Sequence, residues 1–336
     1  MFGSRLLRTH FSPRNTNPAS DSTRGRPPIS GLLIDISGNL HVDRTPTPGA
    51  IQAFQKLVEA GIPIRLCSNT SKESTANLVA KLDQLGFGVS EAQKALSRNA
   101  SEGVSAQLVW TSIGAVADVL KNLGSKNPYL LLSNSARSEV LSRLNLDSAS
   151  NEGKDFDSVV VGFAPSLFDY EHLNMAFRIL KGESPSSPFQ STSFQPPLIA
   201  THRAKYIQAS DEKLSLGPGP FVTALEAASG SDVEARVVGK PEAAFFNMVI
   251  KNFGDPPADQ SCMKRNSSPH QKPRIAVIGD DIEADLGEGA VTLGLWRVLV
   301  KTGKYRQGDE TRDNTVPPDE IHESFAAFVE SFLHEA

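Results

Sequence analysis

The stretch GLLIDISGN, Gly31 to Asn39, decides how this chain folds. Leu32, Leu33 and Ile34 run into Asp35 without polar alternation, the pattern of a strand buried on both faces in a parallel sheet. Gly38 allows the chain to turn sharply just beyond it. Ligands of open α/β sheets bind at the carboxyl ends of the strands, so Asp35 is placed to face a site. The plainer reading of the same residue is an aspartate that caps a turn.

Outward from this strand the same grammar repeats. PGAIQAFQKLVEAG (Pro48 to Gly61) carries Pro near a helix start and Gly at its end. IPIRLCSNT (Ile62 to Thr70) is a second strand, and a helical pattern from Lys72 to Leu85 closes at Gly86. Two successive βα units imply parallel strands joined by right-handed crossovers. YLLLS from Tyr129, DSVVVGFA from Asp157 and PLIAT from Pro197, with helical patterns over Tyr170 to Leu180 and Phe221 to Ala228, read as a second α/β unit. RVVG from Arg236, RIAVIGDD from Arg274 and LWRVLV from Leu295 then return to bare apolar strands. The expected organisation is an α/β core over residues 31–90 and 236–336, with residues 91–235 inserted into it. LGPGP (Leu216 to Pro220) lacks dinucleotide-binding spacing and reads as a turn before a helix, which disfavours a nicotinamide-dependent oxidoreductase.

Composition bounds the function. At 336 residues the chain suggests two domains on a scale of about 150 residues each. No apolar run approaches the roughly 18 residues of a membrane helix, so no membrane partner is expected. The net charge of −4 comes without a basic stripe, which leaves nucleic-acid binding without support. Two cysteines, Cys67 and Cys262, make neither a disulfide framework nor a Cys-based zinc site, and point to an intracellular compartment.

The first 30 residues stand apart, with Arg5, Arg8, Arg14, Arg24 and Arg26 against the single acid Asp21. Such an Arg-rich, acid-poor leader has the composition of a mitochondrial transit peptide. Pro13, Pro18, Pro27 and Pro28 would break its helix, and the alternative is a disordered tail on a cytoplasmic protein. Three polar interruptions, around Asn99 to Gln107, Glu183 to Pro197 and Pro256 to Arg274, read as surface loops.

Three further strand ends carry chemistry. Ser68 and Asn69 either donate to an anion or cap the next helix. Lys240, in VVGKP, either neutralises phosphate as a point cation or is solvated surface. AVIGDDIEAD (Ala276 to Asp285) runs from an apolar strand into Gly279 and four acids. Clustered carboxylates repel one another unless a cation sits among them, and a hard, oxygen-liganded ion such as Mg²⁺ fits. Helix-dipole stabilisation is the plainer account of Glu283 and of Asp281.

Taken in chain order, Asp35 with Ser37-Gly38, Ser68-Asn69, Lys240, and Gly279-Asp280-Asp281 with Asp285 resemble the four motifs of the haloacid dehalogenase (HAD) superfamily. Longer stretches, among them LLIDISGNLHVD, IRLCSNTSKES, VVGKPEAAFF, VIGDDIEADLGEGA and VKTGKY, resemble the subfamily of HAD-like hydrolase domain-containing protein 2 and its phosphatase relatives acting on P–N and P–O–P bonds. The resemblance implies a Rossmann-like HAD core with a parallel sheet and an inserted C2-type α/β cap. It implies an Mg²⁺-dependent phosphatase working through an aspartyl phosphate on Asp35, with the metal on Asp35, the Ser37 backbone carbonyl and Asp280. Asp281 and Asp285 would support them from behind, and Ser37, Gly38, Ser68, Asn69 and Lys240 would bind phosphate. The implied partner is a small phosphorylated compound or a phosphorylated Lys or His side chain. His202, Arg203 and Lys205 are the candidate cap contacts, and a homodimer through the cap is an open expectation.

Two positions depart from the superfamily pattern. Ser37 stands where typical members carry a second aspartate as general acid and base, a loss commonly worth about 10²–10⁴ in rate. Substrates whose leaving group needs no proton from the enzyme, P–N and P–O–P compounds, should then be favoured over alkyl esters. Asn39 replaces the usual threonine but can still hydrogen-bond. These departures also motivate the rival expectation, a non-catalytic phosphate-binding or interaction protein on the same fold.

Overall fold

In the computed structural model, the apolar run after Pro28 forms strand β1 (Ile29–Asp35), followed by a small hairpin of β2 (His41–Val42) and β3 (Thr45–Pro46). Then come α1 (Ala50–Glu59), β4 (Ile64–Ser68), α2 (Thr75–Gln84), α3 (Val89–Asn99), β5 (Val109–Thr111) and α4 (Ser112–Leu123). The middle of the chain forms β6 (Pro128–Leu131), α5 (Asn134–Arg143), β7 (Ser158–Val161), α6 (Tyr170–Leu180), β8 (Leu198–Ala200), β9 (Tyr206–Gln208), β10 (Leu214–Leu216), α7 (Gly219–Ser229) and β11 (Arg236–Val237). It closes with α8 (Ala243–Ile250), β12 (Arg274–Gly279), α9 (Glu288–Thr292), β13 (Trp296–Val300), β14 (Glu320–His322) and α10 (Phe325–Glu335). The structure describes residues 25–99, 107–146, 156–183, 195–208, 214–253 and 272–335. Most of the leader, the bulk of the three polar interruptions and Cys262 lie outside the described residues.

A six-stranded parallel sheet in the order β14-β13-β12-β1-β4-β5 forms the core, with a four-stranded parallel sheet in the order β11-β8-β7-β6 beside it. Strand β1 lies near the middle and is apolar on both faces because both are covered. Leu32 and Ile34 join Phe54, Leu78, Phe325 and Phe328 on one side, while Leu33 meets Ile113, Phe245 and Leu286 on the other. Fully burying such side chains contributes about 1.5–3 kcal/mol each. Register then sets the site: Asp35 pairs with Cys67, and Ile34 with Ile278, so the ends of β4, β1 and β12 lie level.

The sheets move both expected domain boundaries. Val109–Thr111 pairs with Leu66 to Ser68 in the large sheet, although these residues had been assigned to the cap. Arg236–Val237 pairs with Ile199 and Ala200 in the small sheet, although they had been assigned to the core. Strands of three and two residues carry no periodic signal, so only their pairing assigns them. No helix among the described residues is long and apolar enough to cross a membrane.

The leader is also shorter than expected, since Ile29 and Ser30 belong to β1 and Arg26 is tied to the far end of the chain. The Arg26 guanidinium donates to both oxygens of Glu320 at 2.6 Å, to Ser331 Oγ at 3.2 Å and to Glu335 at 3.0 Å. It also lies 5.4 and 5.7 Å from the ring centroids of Phe328 and Phe332. Burial pushes the Glu320 carboxyl up, but hydrogen bonds from Arg26, His322 and Trp296 and the charge of Arg26 override it and hold Glu320 at about 2. Arg26→Ala is expected to cost about 2–4 kcal/mol with unchanged turnover, because it strands a largely buried carboxylate. A carboxyl depressed on folding stabilises above its unfolded pKa and loses that contribution as pH falls through the folded one. The deficit in urea melts should therefore be full above the ordinary Glu value of 4.5 and shrink as pH falls toward about 2. A pH-independent deficit would assign the effect to lost ring packing instead.

Candidate active site

The carboxyl ends of β1, β4 and β12 and the turn after β11 bring four short segments together. Asp35, at the end of β1, is buried, and one of its oxygens, Oδ1, accepts a short hydrogen bond from Lys240 Nζ. Lys240 Nζ also donates to Asp285 Oδ1 at 2.7 Å and to the Cys67 carbonyl at 3.1 Å. All three protons of the ammonium are thereby directed, and the lysine is buried rather than solvated. Burial disfavours its charge, but Asp285 and Asp35 outweigh burial and keep Lys240 protonated.

Two neighbours hold Lys240 in place. Asn69 Oδ1 accepts from the Lys240 backbone N–H at 2.8 Å, and Asn69 Nδ2 donates to the Lys240 carbonyl at 2.7 Å. Asn69 thus positions Lys240 through Oδ1 and one Nδ2 proton, and its second Nδ2 proton is left to donate to an anion. A Cβ on Gly239 would lie 2.4 Å from Asn69 Oδ1 and 2.5 Å from the Thr201 carbonyl, so glycine is required for this close approach. Ser68 is buried, and its Oγ accepts from Thr70 N at 3.1 Å while its own proton remains to donate. The Ser37 side chain is exposed. Asn39 is buried and Nδ2 donates to the Asp35 carbonyl at 2.9 Å, so it supports the backbone of Asp35.

Beyond β12 the acids divide by role. Asp280 Oδ2 accepts from the Lys304 backbone N–H at 2.6 Å and packs against Gly38, whose φ is 93° and whose Cβ, if present, would stand 2.0 Å from that oxygen. Asp281 Oδ1 accepts from Glu283 N and Ala284 N at 3.1 and 2.9 Å, so it caps the turn that follows β12. Asp285 accepts from Lys240 through Oδ1 and from Asp281 N through Oδ2, so it orients the lysine.

Asp35, Asp280 and Asp285 each offer one oxygen to a cluster whose atoms lie within 4.8 Å of one another. Asp35 Oδ2 is buried without a hydrogen-bond partner. Burial, then the charge of Asp285, push Asp35 up to about 7 against the pull of Lys240, and burial with the charges of Asp35 and Asp285 raises Asp280 as well. Three crowded carboxylates, one with an orphan oxygen, form an oxygen-only set suited to a hard divalent cation. The set differs from the expected one in placing Asp285 among the three.

Of the three cap candidates, the structure brings His202 to the core. It is buried, with Nε2 3.5 Å from Ser71 Oγ and Nδ1 accepting from Ala204 N at 3.3 Å. Burial, with the charges of Lys304 and Lys72, lowers its pKa to about 4, so the ring is neutral. Arg203 is instead committed to Glu226 through both terminal nitrogens, and Lys205 is exposed. The segment Thr302 to Lys304 was not anticipated as part of the site, although VKTGKY had been noticed. Thr302 Oγ1 donates to the Gly38 carbonyl at 2.6 Å, and Lys304 Nζ lies 3.1 Å from Asp281 Oδ2. The available signal was an apolar strand, β13, running into polar residues as the other site strands do.

Residues 32–146 match the family described as haloacid dehalogenase-like hydrolase, and residues 237–328 match the one described as HAD-hydrolase-like. The haloacid dehalogenase-like hydrolase domain-containing protein 2 of Homo sapiens is 35% identical over 305 residues, 91% of this chain and 96% of that protein. The chain belongs to the haloacid dehalogenase-like hydrolase family. Within this HAD family, the phospholysine phosphohistidine inorganic pyrophosphate phosphatase of Homo sapiens is 31% identical over 312 residues, covering 92% of this chain and 96% of its own. The fold matches 4-nitrophenylphosphatase from Thermotoga maritima with a TM-score of 0.68 at 22% identity, over 90% of this chain and 97% of that one. The HAD assignment agrees with the parallel sheet, the inserted second sheet and the level strand ends.

Proposed function

We propose that this HAD-family chain is a metal-dependent phosphatase in which Asp35 is the nucleophile. The observation that carries this reading is the buried, partnerless Oδ2 of Asp35, beside an ammonium and two further carboxylates at aligned strand ends. A free carboxylate oxygen that accepts nothing from the protein is available to phosphorus. The family resemblance supports the same assignment.

Mg²⁺ would fit this oxygen-only set, with Asp35, Asp280 and the Ser37 carbonyl to hold it and Asp285 completing the carboxylate cluster, and when bound it would neutralise charge on the carboxylates and on the phosphoryl oxygens. The chain supplies the rest. Asp35 attacks phosphorus, an O–P bond forms as the bond to the leaving group breaks, and water then cleaves the acyl phosphate to release phosphate and restore the carboxylate. Lys240, held by Asn69 and Asp285, stabilises charge on the transferring group. Ser68 donates its hydroxyl proton to the same oxygens. Asp285 keeps Lys240 aimed at Asp35.

Ser37 sets the substrate preference. With serine exposed at this position, no carboxylic acid protonates the leaving group. P–N and P–O–P bonds, whose leaving groups are protonated by solvent or leave as phosphate, are the substrates that remain. The test is Mg²⁺-dependent phosphate release from phosphohistidine, phospholysine, pyrophosphate and alkyl phosphates. Turnover is expected on the first group, and Ser37→Asp is expected to raise alkyl ester hydrolysis by about tenfold or more. An unchanged ester rate would place the restriction in the cap, and no release from any substrate would favour a phosphate-binding protein without turnover.

A further inference from the structure

Two lysines with unspent hydrogen-bond donors stand on opposite sides of the site. Lys304 follows β13 and Lys72 follows β4, and these strands are separated by β12 and β1, which carry Asp280 and Asp35 at their ends. At about 4.8 Å per strand the two loops lie roughly 14 Å apart, with the nucleophile between them. Lys304 Nζ makes one ion pair, with Asp281 at 3.1 Å, and its side chain remains 55% exposed. Lys72 is exposed, and its Nζ sits 5.2 Å from the Phe163 ring centroid without a carboxylate partner among the described residues.

The cap closes over the same place. Ser71, adjacent to Lys72, accepts from Phe163 N at 2.8 Å and approaches His202 at 3.5 Å, so the cap–core seam runs past Lys72. The charges of Lys304 and Lys72 both act on His202, and that of Lys304 also acts on Asp35. The neutral His202 thus feels both cations at the cap–core seam. A monoester with an uncharged leaving group uses neither lysine, and a phospholysine would bring a like charge toward both.

We infer that Lys304, with Lys72 across the seam, binds a second anionic group on the substrate, the leaving phosphate of a phosphoanhydride, and so determines specificity for P–O–P compounds within the phosphatase reading above. The reaction needs no further reactant: attack by Asp35 breaks the P–O bond, and the bond's electrons leave on the second phosphate, already held by the lysines.

The experiment compares methylenediphosphonate with methylphosphonate as non-hydrolysable probes, by thermal shift and by competitive inhibition in the presence of Mg²⁺. The wild-type protein is expected to bind the diphosphonate about tenfold or more tightly than the monophosphonate, as a charge-assisted hydrogen bond allows. Lys304→Met and Lys72→Met are each expected to erode that preference and together to abolish it. Lys304→Met should also raise KM for pyrophosphate about tenfold, and by a clearly larger factor than it changes KM for 4-nitrophenyl phosphate. Lys301→Met, which breaks only the ion pair with Glu323, is the control and should change nothing. A wild-type protein without preference overturns the inference. Equal weakening of both probes by Lys304→Met also overturns it, since that pattern means Lys304 acts by holding Asp281. Because probe binding requires no turnover, a lysine-dependent preference in a protein that hydrolyses nothing would leave the inference standing and remove the phosphatase reading.

Discussion

Asp35→Asn is expected to leave a folded protein with turnover reduced by about 10⁴-fold or more, the scale seen when an enzyme loses its nucleophile. The substitution is nearly isosteric, and the asparagine Oδ1 can still accept from Lys240. Side-chain shape, burial and the hydrogen bond from Lys240 are therefore retained, and what disappears is the anionic oxygen that attacks phosphorus. Phosphate release with the best substrate, beside circular dichroism and a melting curve, checks both halves of the statement. Residual turnover above about 1% would place the nucleophile elsewhere, because an amide oxygen has no comparable reactivity. Loss of the fold would mean that the Asp35 charge is structural, in which case the missing turnover would say nothing of mechanism.

Lys240→Met has the largest expected effect on stability. The wild-type ammonium pairs with Asp35 and Asp285 where all three side chains are buried. Methionine fills much of the same space but leaves those carboxylates, and Asp280 beside them, without a cation. Breaking a buried pair by removing one partner costs about 3–5 kcal/mol, which for a chain of this size is about 4–7 °C in Tm. Turnover should fall by about 10³-fold or more as charge stabilisation at the phosphoryl group is lost. The sign of the pH dependence separates this cause from poor packing. Carboxyls stranded without Lys240 have folded pKa values raised above their unfolded ones, so they destabilise at neutral pH and cease to do so once protonated. The deficit measured near pH 7 should shrink toward about pH 5, and a constant deficit would indicate a cavity. Added Mg²⁺ should recover part of it, since a divalent cation supplies the charge the lysine no longer does.

The strands that carry Asp35, Ser68 and Asp280 were legible because each is a bare apolar run ending abruptly in polar residues. A strand buried on both faces leaves that signature locally, whatever it pairs with. Helices α1 and α6 were legible for the same reason: an apolar face at helical spacing and punctuation by proline, glycine or an N-capping aspartate are properties of a dozen adjacent residues. Strand β5 was not, and β11, read as a strand in RVVG, was given to the wrong sheet, so the cap boundaries shifted accordingly. Two or three residues have no period, and their membership is set by a partner strand 37 to 43 positions away, as in Val109 beside Leu66 and Arg236 beside Ile199.

The site divides along the same line. Sequence by itself determined which residues are chemically able to act: a carboxylate, a hydroxyl, a lysine and an acid cluster, each at a strand end, and a serine where an acid is usual. Tertiary structure decided what each one does. Asn69 became the clamp on Lys240, Asp285 joined the carboxylate cluster, and Arg203 was withdrawn into an ion pair with Glu226 while His202 reached the seam. Lys304 entered the site from the loop after β13, and Arg26 left the leader to dock on α10. Residue type and local period are fixed by neighbours along the chain, whereas hydrogen-bond partners and burial depend on atoms brought near from distant positions, and those exist only once the sheets have formed.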